Sequence, residues 1–321
     1  MRRAVGVDLG GTHARAALVD VETGTVVGAD TKAKVLDKQP ERVAELVAEV
    51  VSKVDPERER VGIGIGFAGM LRGWTGVVTN APNFGWREVA FRQILQNALE
   101  ARSGRSEKVE LYNDLNSIAY GEATYGGARG ERDVLCVYIG TGIGSGLILE
   151  GKLYIGSNHL AGEIGHTRVV SNGRRCGCGQ RGCIEAYASG KNIQARAREE
   201  LVTQTSSAVE LAGGLDKLHA GHLDQAASDG DRYATELWDE IAEKLGLVLA
   251  GAVTLLNPTR LVLGGGMWQG APELRRRTSL IIQDAVNRPA MENFAIVETA
   301  LGDSAGFLGG AALIAHAQCL N

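Results

Sequence analysis

Two segments of the chain share one construction, and this internal repeat restricts the possible folds more than any other feature of the sequence. Residues 4–19 contain an apolar run, the turn Gly10-Gly11-Thr12 and a second run of small and β-branched residues, which is typical of a β-hairpin. Residues 133–149 repeat this pattern around a turn at residues 140–144. In both turns, glycine lets backbone N–H groups approach an anion and threonine adds a hydroxyl donor. The repeat predicts two domains that hold one polyphosphate between them, although each turn alone is equally compatible with a plain structural turn.

Helices and strands alternate through the rest of the chain. Residues 39–54 place apolar side chains at helical spacing, and Pro40 stands where a first helical turn tolerates it. Residues 61–67 alternate glycine with bulky residues, which suits a buried strand whose backbone is closely approached. This alternation favours α/β layers, while the two hairpins argue against a purely parallel sheet. Residues 201–230 show no clear pattern; the other predicted elements are helices at 91–101, 233–256 and 303–317 and strands at 110–112 and 260–263.

The composition excludes several classes of protein. A formal net charge of −4 provides no general attraction for nucleic acid, and the cluster of Arg174, Arg175 and Arg181 is interpreted as a solvated loop. The apolar stretch at residues 245–256 is shorter than the roughly 20 residues that span a bilayer. The first apolar run of the chain is too short for a secretory signal peptide. We therefore predict a cytoplasmic protein with small-molecule partners and with neither nucleic acid nor a membrane among them.

Three of the five cysteines, Cys176, Cys178 and Cys183, lie in the short stretch CGCGQRGC. Such clustering is not a distributed disulfide framework, and thiolates are preferred ligands of structural Zn²⁺. The alternatives are a local disulfide, which a reducing compartment disfavours, and unligated thiols. We expect the glycines at 177, 179 and 182 to permit the reversed turns that wrap so short a loop around one ion.

The order of the glycine loops resembles a known superfamily. Asp8-x-Gly-Gly-Thr12, Gly140-Thr141-Gly142-x-Gly144 and Gly264-Gly265-Gly266 resemble the two phosphate loops and the adenosine loop of the sugar kinase, heat-shock and actin ATPases. Within this superfamily, two motifs are similar to the ROK family of bacterial sugar kinases and sugar-responsive repressors, most of all to its glucokinase branch. They are Glu163-Ile164-Gly165-His166 and, later in the chain, Cys176-x-Cys178-Gly179-x-x-Gly182-Cys183-x-Glu185.

The resemblance implies a two-domain α/β fold, the actin-like ATPase (ribonuclease H-like) sugar kinase fold with an interdomain cleft. A small domain would comprise residues 1–116 and be completed by a C-terminal helix at 304–321. A large domain at 117–303 would contain the zinc loop.

The resemblance also assigns sugar-binding and metal-binding residues. Asp114 would be the general base, although an Asn-Asp pair at this point also suits a turn or a helix N-cap. His166 would be the fourth zinc ligand and would use its second ring nitrogen on the sugar. The implied sugar-binding residues are Gly69, Asn83, Asn113, Asp114, Glu163, His166 and Glu185, and the implied zinc ligands are His166, Cys176, Cys178 and Cys183.

The cofactors implied are ATP, Mg²⁺ and structural Zn²⁺. Asp8 would hold Mg²⁺ through water, because Mg²⁺ gives up its hydration shell reluctantly. Two positions depart from the family pattern, His13 after the first loop, to which we assign no role, and Ala68 in place of a proline. The implied cofactor-binding residues are Asp8, Gly10, Gly11, Thr12, Thr141, Gly142, Gly144, Gly264, Gly265 and Gly266.

The sequence therefore predicts ATP-dependent phosphorylation of glucose at its 6-hydroxyl. The alternatives are a ROK kinase for fructose, allose, mannose or N-acetylmannosamine and a non-catalytic sugar-sensing ROK protein. The resemblance implies that sensing repressors of the family carry a DNA-binding domain before the first phosphate loop. Only about three residues precede the first predicted strand here, which argues against the sensing alternative. Family resemblance further predicts a homodimer or homotetramer.

Overall fold

The computed structural model describes residues 2–316. Its helices and strands follow one another in mixed order along the chain. The strands are β1 Arg3–Leu9, β2 His13–Asp20, β3 Thr25–Val26, β4 Thr31–Lys34, β5 Arg60–Phe67, β6 Met70–Leu71, β7 Val78–Ala81, β8 Trp86–Val89, β9 Val109–Asn113, β10 Val134–Ile139, β11 Ile143–Leu149, β12 Lys152–Tyr154, β13 Arg260–Gly264 and β14 Ala295–Glu298. The helices are α1 Pro40–Val54, α2 Phe91–Ser103, α3 Asp114–Tyr125, α4 Glu185–Ala188, α5 Gly190–Glu200, α6 Ser207–Ala212, α7 Ala220–Ser228, α8 Arg232–Leu256, α9 Gly266–Gln269, α10 Pro272–Ala285 and α11 Ala305–Ala315.

The described residues divide into two compact units. The first comprises residues 2–134, 146–162 and 299–316, and the second comprises residues 135–145 and 163–298. The predicted boundary between the small domain and the large domain, at residues 116 and 117, stays a prediction. The same holds for the completing helix at 304–321, whose last residues, 317–321, lie outside the described part of the chain.

The first unit contains a sheet in the order β3-β2-β1-β5-β9, with β4 paired to β2. Strands β1 and β2 are antiparallel, which confirms the first predicted hairpin. Strands β1, β5 and β9 are parallel, with Asp8 opposite Gly66 and Phe67 opposite Asn113. The carboxyl ends of these three strands therefore meet at one edge of the sheet.

The backbone of helix α11 lies directly against two glycines of the first sheet, Gly6 in β1 and Gly64 in β5. A Cβ atom at Gly6 would lie 1.7 Å from the carbonyl oxygen of Phe307, and one at Gly64 would lie 1.9 Å from that of Gly310. These distances are far below van der Waals contact, so only glycine lets the helix backbone rest on β1 and β5. The close approach that the 61–67 pattern predicted is confirmed, and the approaching element is α11.

The opposite side of this sheet is covered by α1 and α2. The residues of α1 that face the sheet, among them Val43, Val47 and Val51, are fully buried, which confirms the predicted amphipathic helix. An aromatic cluster joins this core to the three-stranded sheet β6-β7-β8, with the Phe67 and Phe84 rings 5.2 Å apart and Phe84 and Trp86 4.7 Å apart. The sequence did not indicate that small sheet.

The second unit is organised by β10, β13 and β14 and by the long helix α8. These strands belong to a sheet in the order β12-β11-β10-β13-β14, in which β11 passes from the second unit to the first after Ser145. Helix α8 ends at Asn257, whose φ of 46° is the left-handed conformation that often ends a helix. The unassigned stretch 201–230 contains α6 and α7. Among residues 2–316, no helix combines the length and the apolar character needed to cross a bilayer.

Candidate functional site

Three thiols and one imidazole of the second unit converge on a single point. The candidate ligand atoms of His166, Cys176, Cys178 and Cys183 all lie within 4.8 Å of one another. The Sγ atoms of Cys178 and Cys183 are 3.8 Å apart, and Cys176 Sγ is 3.7 Å from His166 Nδ1. A tetrahedral ion with zinc–sulfur bonds of 2.3 Å requires sulfur–sulfur edges of about 3.8 Å. The four residues therefore fit structural Zn²⁺, and the described cysteines form no disulfide.

The loop around this site is closed by its own backbone. The N–H of Cys176 donates to the carbonyl of Gln180 at 2.8 Å, and Gly179 and Gly182 have φ values of 91° and 82°. A Cβ at Gly182 would lie 1.7 Å from the carbonyl oxygen of Val170. The reversed turns are thus confirmed at 179 and 182, but the expectation for Gly177 was wrong, because its φ is not positive and its surroundings are open.

Burial raises the pKa of the Cys176 thiol to about 12 in the absence of a metal. A neutral thiol is a poor ligand, and a bound divalent cation is what lowers the pKa enough to make the thiolate.

Two carboxylates lie close to these four candidate ligands. His166 turns Nδ1 towards Cys176, while its Nε2 lies 3.7 Å from Glu163 Oε2. Glu185 Oε1 lies 3.7 Å from Cys176 Sγ on another side. The structure therefore groups three of the predicted sugar-binding residues, Glu163, His166 and Glu185, at the candidate metal site. Their contacts with a sugar remain a prediction.

The 140–144 turn and the 264–266 turn share one cleft of about 730 Å³ in the second unit. Gly265 has a φ of 98°, and a Cβ there would lie 2.5 Å from the carbonyl oxygen of Ile139, so the two turns pack backbone to backbone. The N–H of Gly190 donates to the carbonyl of Gly140 at 2.8 Å and brings the start of α5 to the same place. Sequence reasoning missed other lining residues, because they belong to no recognised motif: Lys191, Gln194, His219 and Met267.

The candidate residues of the first unit lie at the carboxyl ends of its parallel strands. Asp8 is near the end of β1 and is followed by the Gly10–Thr12 turn, and Asp114 follows β9 directly. A Cβ at Gly11 would lie 2.7 Å from the Cβ of Asn83, so the turn contacts this predicted sugar-binding residue. The Gly10–Thr12 turn, predicted to bind phosphate, and the predicted base Asp114 thus lie at the same edge of the sheet.

Asn113 is the N-cap of α3. Its Oδ1 accepts hydrogen bonds from the N–H groups of Leu115 and Asn116, and its Nδ2 donates to the carbonyl of Gly69 at 3.3 Å. The predicted N-cap is therefore confirmed for Asn113. The amide nitrogen of the same side chain links it to Gly69, another predicted sugar-binding residue. Asp114 is the first residue of α3 and is half-buried, with Oδ1 2.9 Å from the N–H of Leu115.

Asp8 is held in an environment that opposes its ionisation. Burial raises the pKa of its carboxyl to about 6, with a smaller lowering effect from Arg15 and a smaller raising effect from Asp303. A Cβ at Gly306 would lie 2.9 Å from the Asp8 Cγ, so the first turn of α11 covers this carboxyl. Because the effect of burial exceeds that of Arg15, ionised Asp8 destabilises the fold unless a metal cation is bound beside it.

We expect Asp8→Asn to stabilise the protein at neutral pH when no divalent cation is present. The folded pKa of about 6 lies above the ordinary 3.8, so the cost of ionisation is absent below about pH 4 and complete above about pH 6. Removing it should raise the free energy of unfolding by at most about 3 kcal/mol at pH 7.5. Denaturant unfolding from pH 4 to 7.5 with a chelator present measures this, with the exposed Asp30→Asn as control. A gain that is equal at pH 4 and pH 7.5 would contradict the assignment.

Comparisons with known proteins identify the family of the chain. The sequence profile of the ROK family matches residues 4–317. The chain is 34% identical to the glucokinase of Thermotoga maritima over 97% of each chain. It is 32% identical to the N-acetyl-D-glucosamine kinase of Photobacterium profundum over 85% of this chain and 87% of that enzyme.

Solved structures resemble the chain over nearly its whole length. The ROK hexokinase from Thermus thermophilus superposes with a TM-score of 0.82 at 30% identity and covers 97% of both chains. The ROK family glucokinase from Streptomyces griseus, solved in complex with glucose and AMPPNP, superposes with a TM-score of 0.76 at 31% identity, covering 97% of this chain and 98% of that one. The predicted actin-like ATPase fold is confirmed, and the chain belongs to the ROK family.

Proposed function

We propose that this protein is a ROK sugar kinase that transfers the γ-phosphoryl group of ATP to the 6-hydroxyl of glucose. The observation that carries the proposal is the grouping of Glu163, His166 and Glu185 around the Cys3His site, since these side chains offer acceptors and a donor for adjacent sugar hydroxyls. The Thermotoga and Streptomyces relatives named as glucokinases support glucose as the substrate.

The nucleotide would occupy the cleft of the second unit. Its wall contains Gly140, Thr141 and Gly266, where backbone N–H groups and a hydroxyl can bind phosphate oxygens without interference from side chains. Lys191 lines the same cleft and supplies a positive charge for the phosphates. The Gly10–Thr12 turn of the first unit would be a further phosphate-binding loop.

The chemistry would be carried out at the sheet edge of the first unit. Asp114 would accept the proton of the 6-hydroxyl as the oxygen attacks the γ-phosphorus, with the ADP oxygen as leaving group. Asn113 and Gly69 would hold the sugar beside it. Mg²⁺, held by Asp8 through water, would neutralise charge on the phosphates, and it would favour the ionised form of Asp8.

Zinc would have a structural role in this scheme. The four protein ligands leave no open coordination position for water or substrate. When bound, the ion would fix the two ends of the 166–183 segment and hence the positions of the neighbouring carboxylates, Glu163 and Glu185.

Steady-state kinetics on a panel of sugars tests the substrate. ADP release with Mg·ATP should be fastest, judged by kcat/KM, with glucose among glucose, fructose, mannose, allose, N-acetylmannosamine and N-acetyl-D-glucosamine. The last sugar belongs in the panel because of the Photobacterium relative. A preference for another sugar would leave the kinase assignment intact and overturn glucose. No turnover with any of them would favour a sugar-sensing protein.

A further inference from the structure

Ile143, in the second phosphate loop, is contacted from two sides by residues next to the predicted zinc ligands. Its backbone N–H donates to Glu185 Oε2 at 2.9 Å. On the other side, Gly165 approaches so closely that a Cβ there would lie 2.1 Å from the carbonyl oxygen of Ile143. Gly165 precedes the ligand His166, and Glu185 lies two residues after the ligand Cys183.

Glu185 connects the two sites through its two carboxylate oxygens. Oε2 accepts the loop N–H, while Oε1 lies 3.7 Å from the Sγ of Cys176. A Cβ at Gly142 would lie 2.8 Å from Oε2, so a larger residue at position 142 would require this carboxylate to shift. The backbone of Glu185 is itself held, because its carbonyl accepts a hydrogen bond from Asn192 Nδ2 at 3.0 Å.

We propose that Glu185 is a positioning residue for the 140–144 phosphate loop, and that the metal at the Cys3His site acts on nucleotide affinity through it. The inference rests on the proposed function in taking this loop as the phosphate-binding element. A metal ion that fixes His166 relative to Cys183 also fixes Gly165 relative to Glu185, and these two residues set the position of Ile143. The metal site then serves the phosphoryl donor as well as the sugar.

The test compares Glu185→Ala with Glu185→Gln, whose side-chain carbonyl can still accept the Ile143 N–H. Affinity for Mg·AMPPNP is measured by calorimetry without sugar on the full chain, with zinc content determined for every sample. Glu185→Ala should weaken binding about tenfold, the effect of losing one hydrogen bond to a charged acceptor. Glu185→Gln should remain within about threefold of wild type, and chelator-treated wild type should lose at least as much affinity as Glu185→Ala.

Glu210→Ala is the matched control, since Glu210 is an exposed glutamate of α6 in the same unit and lies outside the proposed site. It should leave nucleotide affinity unchanged in the absence of sugar. Hydrogen exchange of the peptide containing residues 140–144 provides a readout that needs no ligand. The Ile143 amide should exchange faster in Glu185→Ala and in zinc-free protein than in wild type or Glu210→Ala.

The outcomes separate the inference from the proposed function. Unchanged exchange at residues 140–144 in both Glu185→Ala and zinc-free protein would overturn the inference, whatever the enzyme phosphorylates. Exchange at residues 140–144 could instead be faster in Glu185→Ala and in zinc-free protein while the wild type does not bind Mg·AMPPNP. That result would support the positioning of the loop by Glu185, but it would overturn both the proposed link to nucleotide affinity and the kinase assignment.

Discussion

Asp114→Asn is expected to lower kcat by roughly a thousandfold, within the range of 10²–10⁴ typical of general bases, with little change in sugar affinity. The amide cannot accept the proton of the sugar hydroxyl. Asparagine has the shape of aspartate, and its Oδ1 can keep the 2.9 Å hydrogen bond from the Leu115 N–H at the start of α3. Single-turnover kinetics measure the chemical step, and calorimetry with glucose measures binding.

Asp30→Asn serves as the control for this substitution, because Asp30 is an exposed aspartate of the same unit and lies outside the proposed site. It should retain wild-type turnover. If Asp114→Asn keeps more than about a tenth of the wild-type kcat, proton transfer to Asp114 does not limit the reaction. If it loses activity together with sugar affinity, Asp114 binds the sugar and another group is the base.

The parts of the fold that could be predicted are those whose signal is local. The first hairpin, α1 and α8 follow from residue periodicity and turn composition within a single segment, and their observed bounds lie close to the predicted ones. The close approach at residues 61–67 could be predicted from glycine spacing, but its partner could not. Nothing in the sequence near Gly64 says that a helix some 240 positions later, at Gly310, rests on it.

The candidate site shows the same division between local and distant information. The cysteine spacing within one loop predicts a metal site, and the structure brings the three thiols and His166 within 4.8 Å of one another. The reversed turns at Gly179 and Gly182 are confirmed, whereas Gly177 needs no special conformation because nothing approaches it. The contribution of Lys191 and His219 to the cleft of the second unit depends on how α5 and α7 pack, and no sequence motif indicates that packing.

Glu122 is a further residue whose importance depends on distant contacts. It is fully buried in α3, and its carboxylate accepts hydrogen bonds from the backbone N–H groups of Gly127, Ala300 and Leu301 at 2.8–3.1 Å. The first of these donors lies just after α3, and the other two lie where the chain re-enters the first unit. One carboxylate thus joins two segments of that unit that are far apart in sequence.

Glu122→Ala should lower the free energy of unfolding by about 4 kcal/mol, because it leaves three backbone donors without their acceptor and opens a cavity in the interior. Glu122→Gln should cost less, about 2 kcal/mol, since one oxygen remains an acceptor while the NH2 group faces N–H donors. Urea denaturation measures both, with Glu100→Ala, an exposed glutamate of α2, expected to stay within about 0.5 kcal/mol of wild type. If Glu122→Ala were no more costly than Glu100→Ala, solvent would have to replace the carboxylate at these N–H groups, and the buried carboxylate would not be what fixes residues 300 and 301 beside α3.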